Sequence, residues 1–329
     1  MPRRPTQSQI YQRLLARYSR EMANAFFAAV QAASSRVNMR DLARAIDLGD
    51  TARVVQLLGL DATALFPLAD SLRSAFVAGG LSVAEFAPRG AVFGFNGRNT
   101  RAEAWVATTS GRMIQNITDD TLPMVRAVLT DGVSRGRSGA TIARELTGRL
   151  NRATGRREGG FLGLNDQQTR AAINARADLD NLDSRYFSRK LRDRRYDAMV
   201  RKAIDEGKPL SQADIDRITN RYKDRMLRRR GEVIARTETH SALASGQHEG
   251  IQQALDEGRI SSASKAWIHN SANQAAREDH ESMGLSPAIP FNAAFTLPSG
   301  ATGQYPHDPD LPIGERISCR CTARYQIVP

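Results

Sequence analysis

The chain has 329 residues, which is enough for two domains and for a hydrophobic core that needs no disulfide bonds. Lysine and arginine outnumber aspartate and glutamate by 47 to 35, and this net charge of +12 suits a polyanionic partner such as nucleic acid. Aromatic residues make up only 6% of the chain, which favours helices packed through aliphatic side chains over an aromatic-rich β-sandwich.

Targeting and membrane-spanning segments are not expected. No apolar segment follows Met1-Pro2-Arg3-Arg4, so the sequence predicts no signal peptide. Its longest apolar runs, such as residues 23–33, are too short to cross a bilayer. We therefore expect a protein that is made in a reducing cytosol and has no membrane partner.

Residues 1–150 are predicted to form a helical domain. Ile10, Leu14, Tyr18 and Met22 recur at helical spacing and predict an amphipathic helix over residues 7–33. A helix over residues 61–78 contains Pro67, so it is expected to start late or to kink, and Gly79-Gly80 predict its end. Further helices are predicted over residues 39–48, 51–58, 100–116, 119–133 and 138–150, with a loop over residues 86–99.

The central region is predicted to consist of long basic helices over residues 164–258. Residues 151–163, which precede it, hold four glycines among charged residues and predict a mobile loop. Asn165 and Gln168 have helix N-cap spacing. The predicted helices cover residues 165–182, 184–206 and 211 to about 256.

Residues 259–329 are predicted to form a small α+β module that closes on Cys319-Arg320-Cys321. Strands are predicted over residues 264–269 and 322–328, with a short helix over residues 273–283. The Pro- and Gly-rich residues 287–312 predict irregular structure with short strands. The predicted fold class is mainly α, with an elongated helical N-terminal and central region followed by this module.

All five histidines and both cysteines lie after residue 235. Cys319 and Cys321 would share one face of a strand, so both thiolates can bind one metal ion. Zinc takes tetrahedral Cys/His sets, which predicts a structural zinc site with His280 as third ligand and His307 or His269 as fourth. The alternative is a pair of buried thiols beside a hydrogen-bonded histidine, without metal.

Arginines repeat along the predicted long helix and form a basic ridge. Such a ridge is expected to contact the phosphates of double-stranded DNA without reading its sequence, and to bind less tightly as salt rises. Because aspartates are interleaved, a solvated helix face is the alternative. The predicted DNA-contacting residues are Arg217, Arg221, Arg225, Arg228, Arg229 and Arg230.

Several motifs follow one another in the last third of the chain. They are Arg236-Thr237-Glu238, Lys265-Ala266-Trp267, Arg277-Glu278-Asp279-His280, Tyr305-Pro306 and Cys319-Arg320-Cys321. In this order they resemble the phage Mu F-like minor head proteins, the phage head morphogenesis family, over about residues 165–325. The sequence departs from the family at Ser271-Ala272-Asn273-Gln274, where an acidic residue is common, so no carboxylate role is expected there.

The resemblance implies a minor capsid protein that is not an enzyme and has no catalytic residues. Such proteins assemble in the host cytoplasm, lie inside the virion capsid, associate with the portal and other head proteins, and take part in head morphogenesis and DNA packaging or delivery. Residues 1–150 are expected to contact the portal or another head protein. Arg236, Glu238, Trp267 and Arg277 are expected to be structural residues that fix the long helix to the module.

A metal-dependent nuclease acting on phage or host DNA is the alternative function, with His280 and the pair His269-Asn270 at its site. Two other enzyme classes are excluded. His248-Glu249 lacks the second histidine of a zinc protease helix, and the sequence has no Gly-rich phosphate loop of a packaging motor.

Overall fold

A computed structural model describes residues 4–270 and 277–329. Over these ranges the protein is mainly α-helical, with a small α+β region near the C-terminus, which confirms the predicted fold class. None of the helices in these ranges combines the length and the apolar character that a bilayer crossing requires. Residues 271–274, where the sequence departs from the phage family, lie outside the described residues, as does the start of the helix predicted over residues 273–283.

The elements up to the end of the long helix include a single β-hairpin among the described residues. They are α1 (Gln7–Arg36), α2 (Met39–Asp47), α3 (Thr51–Leu58), α4 (Phe66–Phe86), α5 (Thr100–Asp119), α6 (Thr121–Ser134), α7 (Gly139–Thr147), β1 (Arg149–Asn151), β2 (Arg156–Glu158), α8 (Asp166–Asp180), α9 (Asp197–Glu206) and α10 (Gln212–Asp256). The C-terminal elements are β3 (Ser262–Ile268), α11 (Glu278–Leu285), β4 (Ile289–Pro290), β5 (Phe295–Thr296), β6 (Thr302–Gly303), α12 (Ile313–Arg316) and β7 (Thr322–Val328).

The chain forms two compact units, each assembled from separate segments. Unit 1 comprises Met1–Ala25, Leu68–Met113 and Glu232–Pro329. Unit 2 comprises Phe26–Pro67 and Ile114–Gly231. This division differs from the consecutive segments that the sequence predicts, because local patterns do not reveal which distant segments pack together.

Helix α4 continues through Gly79-Gly80, so the helix end predicted at these glycines is wrong. A Cβ atom on Gly79 would lie 2.4 Å from the carbonyl oxygen of Leu243 in α10. A Cβ atom on Gly246 of α10 would lie 2.0 Å from the carbonyl oxygen of Phe76. These glycines therefore allow the backbones of α4 and α10 to approach closely within unit 1, which a larger side chain would prevent.

In unit 2, residues 184–206 do not form the single helix that the sequence predicts. Two short 3₁₀ helices, Ser184–Ser188 and Arg194–Tyr196, precede α9. The side chains of Asp183 and Asp193 accept backbone N–H groups at the two 3₁₀ starts, and such local bonds compete with a continuous α-helix. The segment predicted as a mobile loop, residues 151–163, contains β2 and the turn of an antiparallel hairpin, whose first strand β1 begins at Arg149 inside the helix predicted over residues 138–150.

The C-terminal module of unit 1, residues 259–329, contains a three-stranded antiparallel sheet in the order β4-β3-β7. Trp267 of β3 pairs with Ala323 of β7, and Ile268 pairs with Thr322. The Gln7 side chain bonds both backbone groups of Tyr325, at 2.7 Å to its oxygen and 3.0 Å from its nitrogen. The start of α1 thereby binds the outer edge of β7. The buried apolar core of the module holds Trp267, Met283, Phe295, Leu297 and Leu311, together with both cysteines.

Candidate metal centre

The side chains of His280, Cys319 and Cys321 converge in the core of the C-terminal module. His280 lies in the first turn of α11, and the two cysteines precede β7. His280 Nδ1 is 3.4 Å from Cys319 Sγ and 3.6 Å from Cys321 Sγ. All three residues are buried, and their ligand atoms lie within 4.8 Å of one another. This group can hold a metal ion.

The backbone before Cys319 explains how the two thiols reach the same side. Ser318 has a φ of 58°, in the left-handed region that residues with a side chain rarely adopt. The guanidinium of Arg277 donates to the carbonyl oxygen of Ile317 at 2.8 Å and holds the other side of this turn. Past the turn, the N–H of Cys321 donates to Cys319 Sγ at 3.3 Å. The turn therefore directs both sulfur atoms toward His280.

A carboxylate orients the imidazole of His280. Its Nε2 lies 2.9 Å from Glu315 Oε2, and the hydroxyl of Ser299 donates to the other carboxylate oxygen at 3.2 Å. The edge-to-face contact with Trp267, at 5.4 Å between ring centroids, restricts ring rotation. With a proton held on Nε2, the lone pair of Nδ1 faces the two thiols, as in the carboxylate–histidine–metal arrangement of many metal sites.

The two thiols differ in acidity. The hydrogen bond with the Cys319 thiol lowers the pKa of Cys321 and outweighs burial, which raises it. The hydrogen bond with Cys321, together with burial, raises the pKa of Cys319. Burial lowers the pKa of His280, but Cys321 and Glu315 outweigh burial, so the net shift is upward. Of the two thiols, Cys321 is therefore the one that loses its proton first, and the thiolate is the form that binds metals.

Of the two histidines predicted as fourth ligand, His269 lies beside the cysteines. It follows β3 directly, after the pair of Ile268 with Thr322, and its Nδ1 is 3.6 Å from Cys321 Sγ. Among the described residues, neither histidine belongs to the group of ligand atoms that lie within 4.8 Å of one another. The ring of His307 stacks on that of His240, at 4.3 Å between centroids. The geometry thus favours His269 over His307.

The residues predicted to be structural differ in their surroundings. Trp267 is fully buried against His280, and Arg277 anchors the turn before Cys319. Glu238 of α10 is half-buried; burial raises its pKa, and nearby arginines only partly oppose this effect. Burial lowers the pKa of His240 to about 3, and the positive charge of Arg236, on the same helix, acts in the same direction.

The six predicted DNA-contacting arginines fall into two groups. Arg217 pairs with Asp214, and Arg225 donates to the carbonyl oxygen of Arg192. Arg230 is buried and bonds Asp120 at 2.6 Å and the Gly163 carbonyl oxygen at 2.9 Å, so this guanidinium is not accessible to DNA. The remaining members, Arg221, Arg228 and Arg229, are exposed and form no ion pair within the described parts of the chain.

Glu315 and Ser299 support the candidate metal centre, yet they are not among the predicted site residues. Neither belongs to a recognisable motif, and only the fold brings them to His280.

Comparison of the chain with protein-family models gives no match, and comparisons with curated proteins and with solved structures also give none.

Proposed function

We propose that His280, Cys319, Cys321 and His269 bind one zinc ion that stabilises the C-terminal module. The observation that carries this proposal is the orientation of His280, whose Nδ1 faces two buried sulfur atoms while its Nε2 bonds Glu315.

The ligand spacings fit tetrahedral zinc. Zinc bonds of about 2.3 Å to sulfur and 2.05 Å to nitrogen, at tetrahedral angles, place sulfur and nitrogen ligands about 3.6 Å apart. Three of the four sulfur–nitrogen distances in this set are 3.4 Å for Cys319–His280, 3.6 Å for Cys321–His280 and 3.6 Å for Cys321–His269. The group of His280 and the two cysteines therefore matches zinc in both chemistry and spacing, and His269, beside Cys321, would complete the set.

Zinc held in this way would be structural. It would connect the end of β3, the first turn of α11 and the segment before β7. With His269 as fourth ligand, the site would leave no open position for an activated water. Such a closed set would favour this role over the nuclease alternative.

Zinc analysis of the purified full-length chain tests the site. We expect about one zinc ion per chain, in line with a single four-ligand set. Cobalt(II) substituted for zinc should show the absorption of a tetrahedral thiolate site. Cys321→Ser and His280→Gln should both abolish these signals, because each removes a buried ligand.

The variants His269→Gln and His307→Gln form a matched pair that identifies the fourth ligand. His269→Gln should weaken zinc binding, whereas His307→Gln should retain it. The metal assignment would be overturned if wild-type protein, grown and refolded in the presence of zinc, contained no zinc and still had an intact module.

We further propose that the protein is a minor phage head component that associates with the portal and contacts DNA non-specifically inside the capsid. The support is the resemblance to the phage head morphogenesis family, whose motifs here include the metal-site residues His280, Cys319 and Cys321. Quantitative mass spectrometry of procapsids and DNA-filled virions tests it. A few copies per particle are expected, and absence from both particles would contradict this role.

A further inference from the structure

Unit 2 contains a cleft of about 280 Å³ between α1, the β1–β2 hairpin and α10. Three exposed arginines line it: Arg156 from the hairpin, and Arg221 and Arg228 from α10. Arg221 and Arg228 are seven residues apart, two helical turns, and so lie on one face of α10. Within the described parts of the chain, none of the three forms an ion pair.

The walls of the cleft are held by bonds that do not use these three guanidinium groups. Gln31 of α1 bonds both backbone groups of Arg157, at 2.6 Å to its oxygen and 3.2 Å from its nitrogen. The guanidinium of Arg157 donates to the carbonyl oxygen of Gly148 at 3.0 Å. The hairpin is therefore tied to α1 and α7 while Arg156 remains available.

The acidic residues at the cleft have partners of their own. Asp224 accepts the N–H of Gly159 at 2.7 Å, which fixes the end of the hairpin to α10. Glu158 accepts the side-chain amide of Asn151 at 3.1 Å. Four arginines and two carboxylates line the cleft, so its net charge is positive.

We propose that this cleft is a binding site for a phosphate group, bound by Arg156, Arg221 and Arg228. Guanidinium groups present planar pairs of donors that match phosphate oxygens. The apolar side chains of Phe27, Val30 and Leu227 line the same cleft and leave room for a sugar attached to the phosphate. Its volume lies below the usual range for cofactor pockets, about 300–1,000 Å³, which suits one phosphate with its sugar.

The proposal deepens the DNA contact proposed above and rests on it for the source of the phosphate. DNA backbone and small phosphate compounds share the same chemistry, so the two sources are separated by experiment. Binding of inorganic phosphate and of a short duplex DNA is measured with the full-length chain at low salt, by calorimetry and by fluorescence anisotropy.

The test compares two neighbouring arginines of α10. Arg228→Gln removes a cleft residue, and Arg229→Gln makes the same charge change at an exposed position that does not line the cleft. We expect Arg228→Gln, Arg221→Gln and Arg156→Gln each to weaken binding about tenfold, as for the loss of one charge-assisted hydrogen bond. Arg229→Gln should change it less than about twofold, because it leaves only general electrostatics altered.

The two binding measurements distinguish the sources of the phosphate group. If phosphate binds and DNA competes with it, the site exists and the DNA backbone supplies the phosphate. If phosphate binds and DNA does not, the site exists and takes a small phosphate compound. Equal losses in Arg228→Gln and Arg229→Gln, or binding of neither ligand, would overturn the site. Zinc content measured on the same variants should stay at the wild-type level, which separates this result from failure of the metal proposal.

Discussion

The C-terminal module and unit 2 arrange their polar side chains in opposite ways. In the module, a histidine, two thiols and a supporting carboxylate meet at one point. In unit 2, several charged pairs are isolated from one another. Examples are Arg189–Asp178, Arg192–Asp197 and Arg230–Asp120. Loss of one group should therefore affect the whole module, whereas losses of such isolated pairs in unit 2 should remain local and additive.

The largest effect is expected for Cys321→Ser measured in the presence of zinc. Loss of a metal ligand should lower the free energy of unfolding by about 4 kcal/mol, because the remaining ligands cannot retain the ion. Cys319→Ser should have a similar effect, and the double variant should be no worse than either single one. Denaturant unfolding checks all three, and additive losses would contradict a shared site.

Arg230→Ala should destabilise unit 2 by about 3 kcal/mol, because it leaves Asp120 and the Gly163 carbonyl oxygen without their partner. Arg229→Ala is the exposed control and should stay within about 0.5 kcal/mol of wild type. Combining Arg230→Ala with Arg189→Ala, which breaks a separate pair, should give the sum of the single effects in urea unfolding. A strong departure from that sum would show that unit 2 is as cooperative as the module.

Acid should destabilise unit 1 through His240. Burial, with help from Arg236, lowers its pKa to about 3 from the ordinary 6.5. The contribution of neutral, buried His240 to the free energy of unfolding is complete above pH 6.5. It is lost as pH falls toward 3, because the unfolded chain binds the proton first. At pH 5 the loss is about 2 kcal/mol.

The variant His240→Gln, which removes the titrating group, isolates this effect. Its free energy of unfolding should fall less than that of wild type between pH 7.5 and 5. Equal slopes for the two proteins would rule out His240 as the origin of acid sensitivity.

The smallest effect is expected for Arg221→Gln. The side chain is exposed and forms no ion pair within the described residues, so stability should stay within about 0.5 kcal/mol of wild type. Thermal unfolding of Arg221→Gln beside Arg230→Ala sharpens the distinction between arginines that support the fold and arginines that face the cleft. A loss like that of Arg230→Ala would contradict it.

Periodic patterns in the sequence were sufficient to predict most of the helices. Helical spacing and the N-cap residue Asn165 predict α1 and α8 well, and the continuous α10 is confirmed through Gly231 and Gly246. The glycines of α4 misled the prediction because the same residue type serves helix ends and close backbone approach. Only the partner helix decides between the two uses.

The candidate metal centre was predictable in part. Cys319, Cys321 and His280 follow from their chemistry and spacing, and the structure brings them together. The choice between His269 and His307 depends on the register of β3 and β7, which the sequence does not specify. Glu315 lies only four residues before Cys319, but the local sequence does not mark it as a partner of His280. The discontinuous units were beyond prediction because their contacts join segments distant in the sequence.

The order of segments in the two units bears on how the protein folds during synthesis. All segments of unit 2 have left the ribosome soon after Gly231. Unit 1 must wait for β7, because Gln7 bonds Tyr325 and β3 pairs with β7. Contacts between such distant residues form slowly, since a long loop must close before they gain stability. The nascent chain should therefore present a folded unit 2 while the early residues of unit 1 still await their partners.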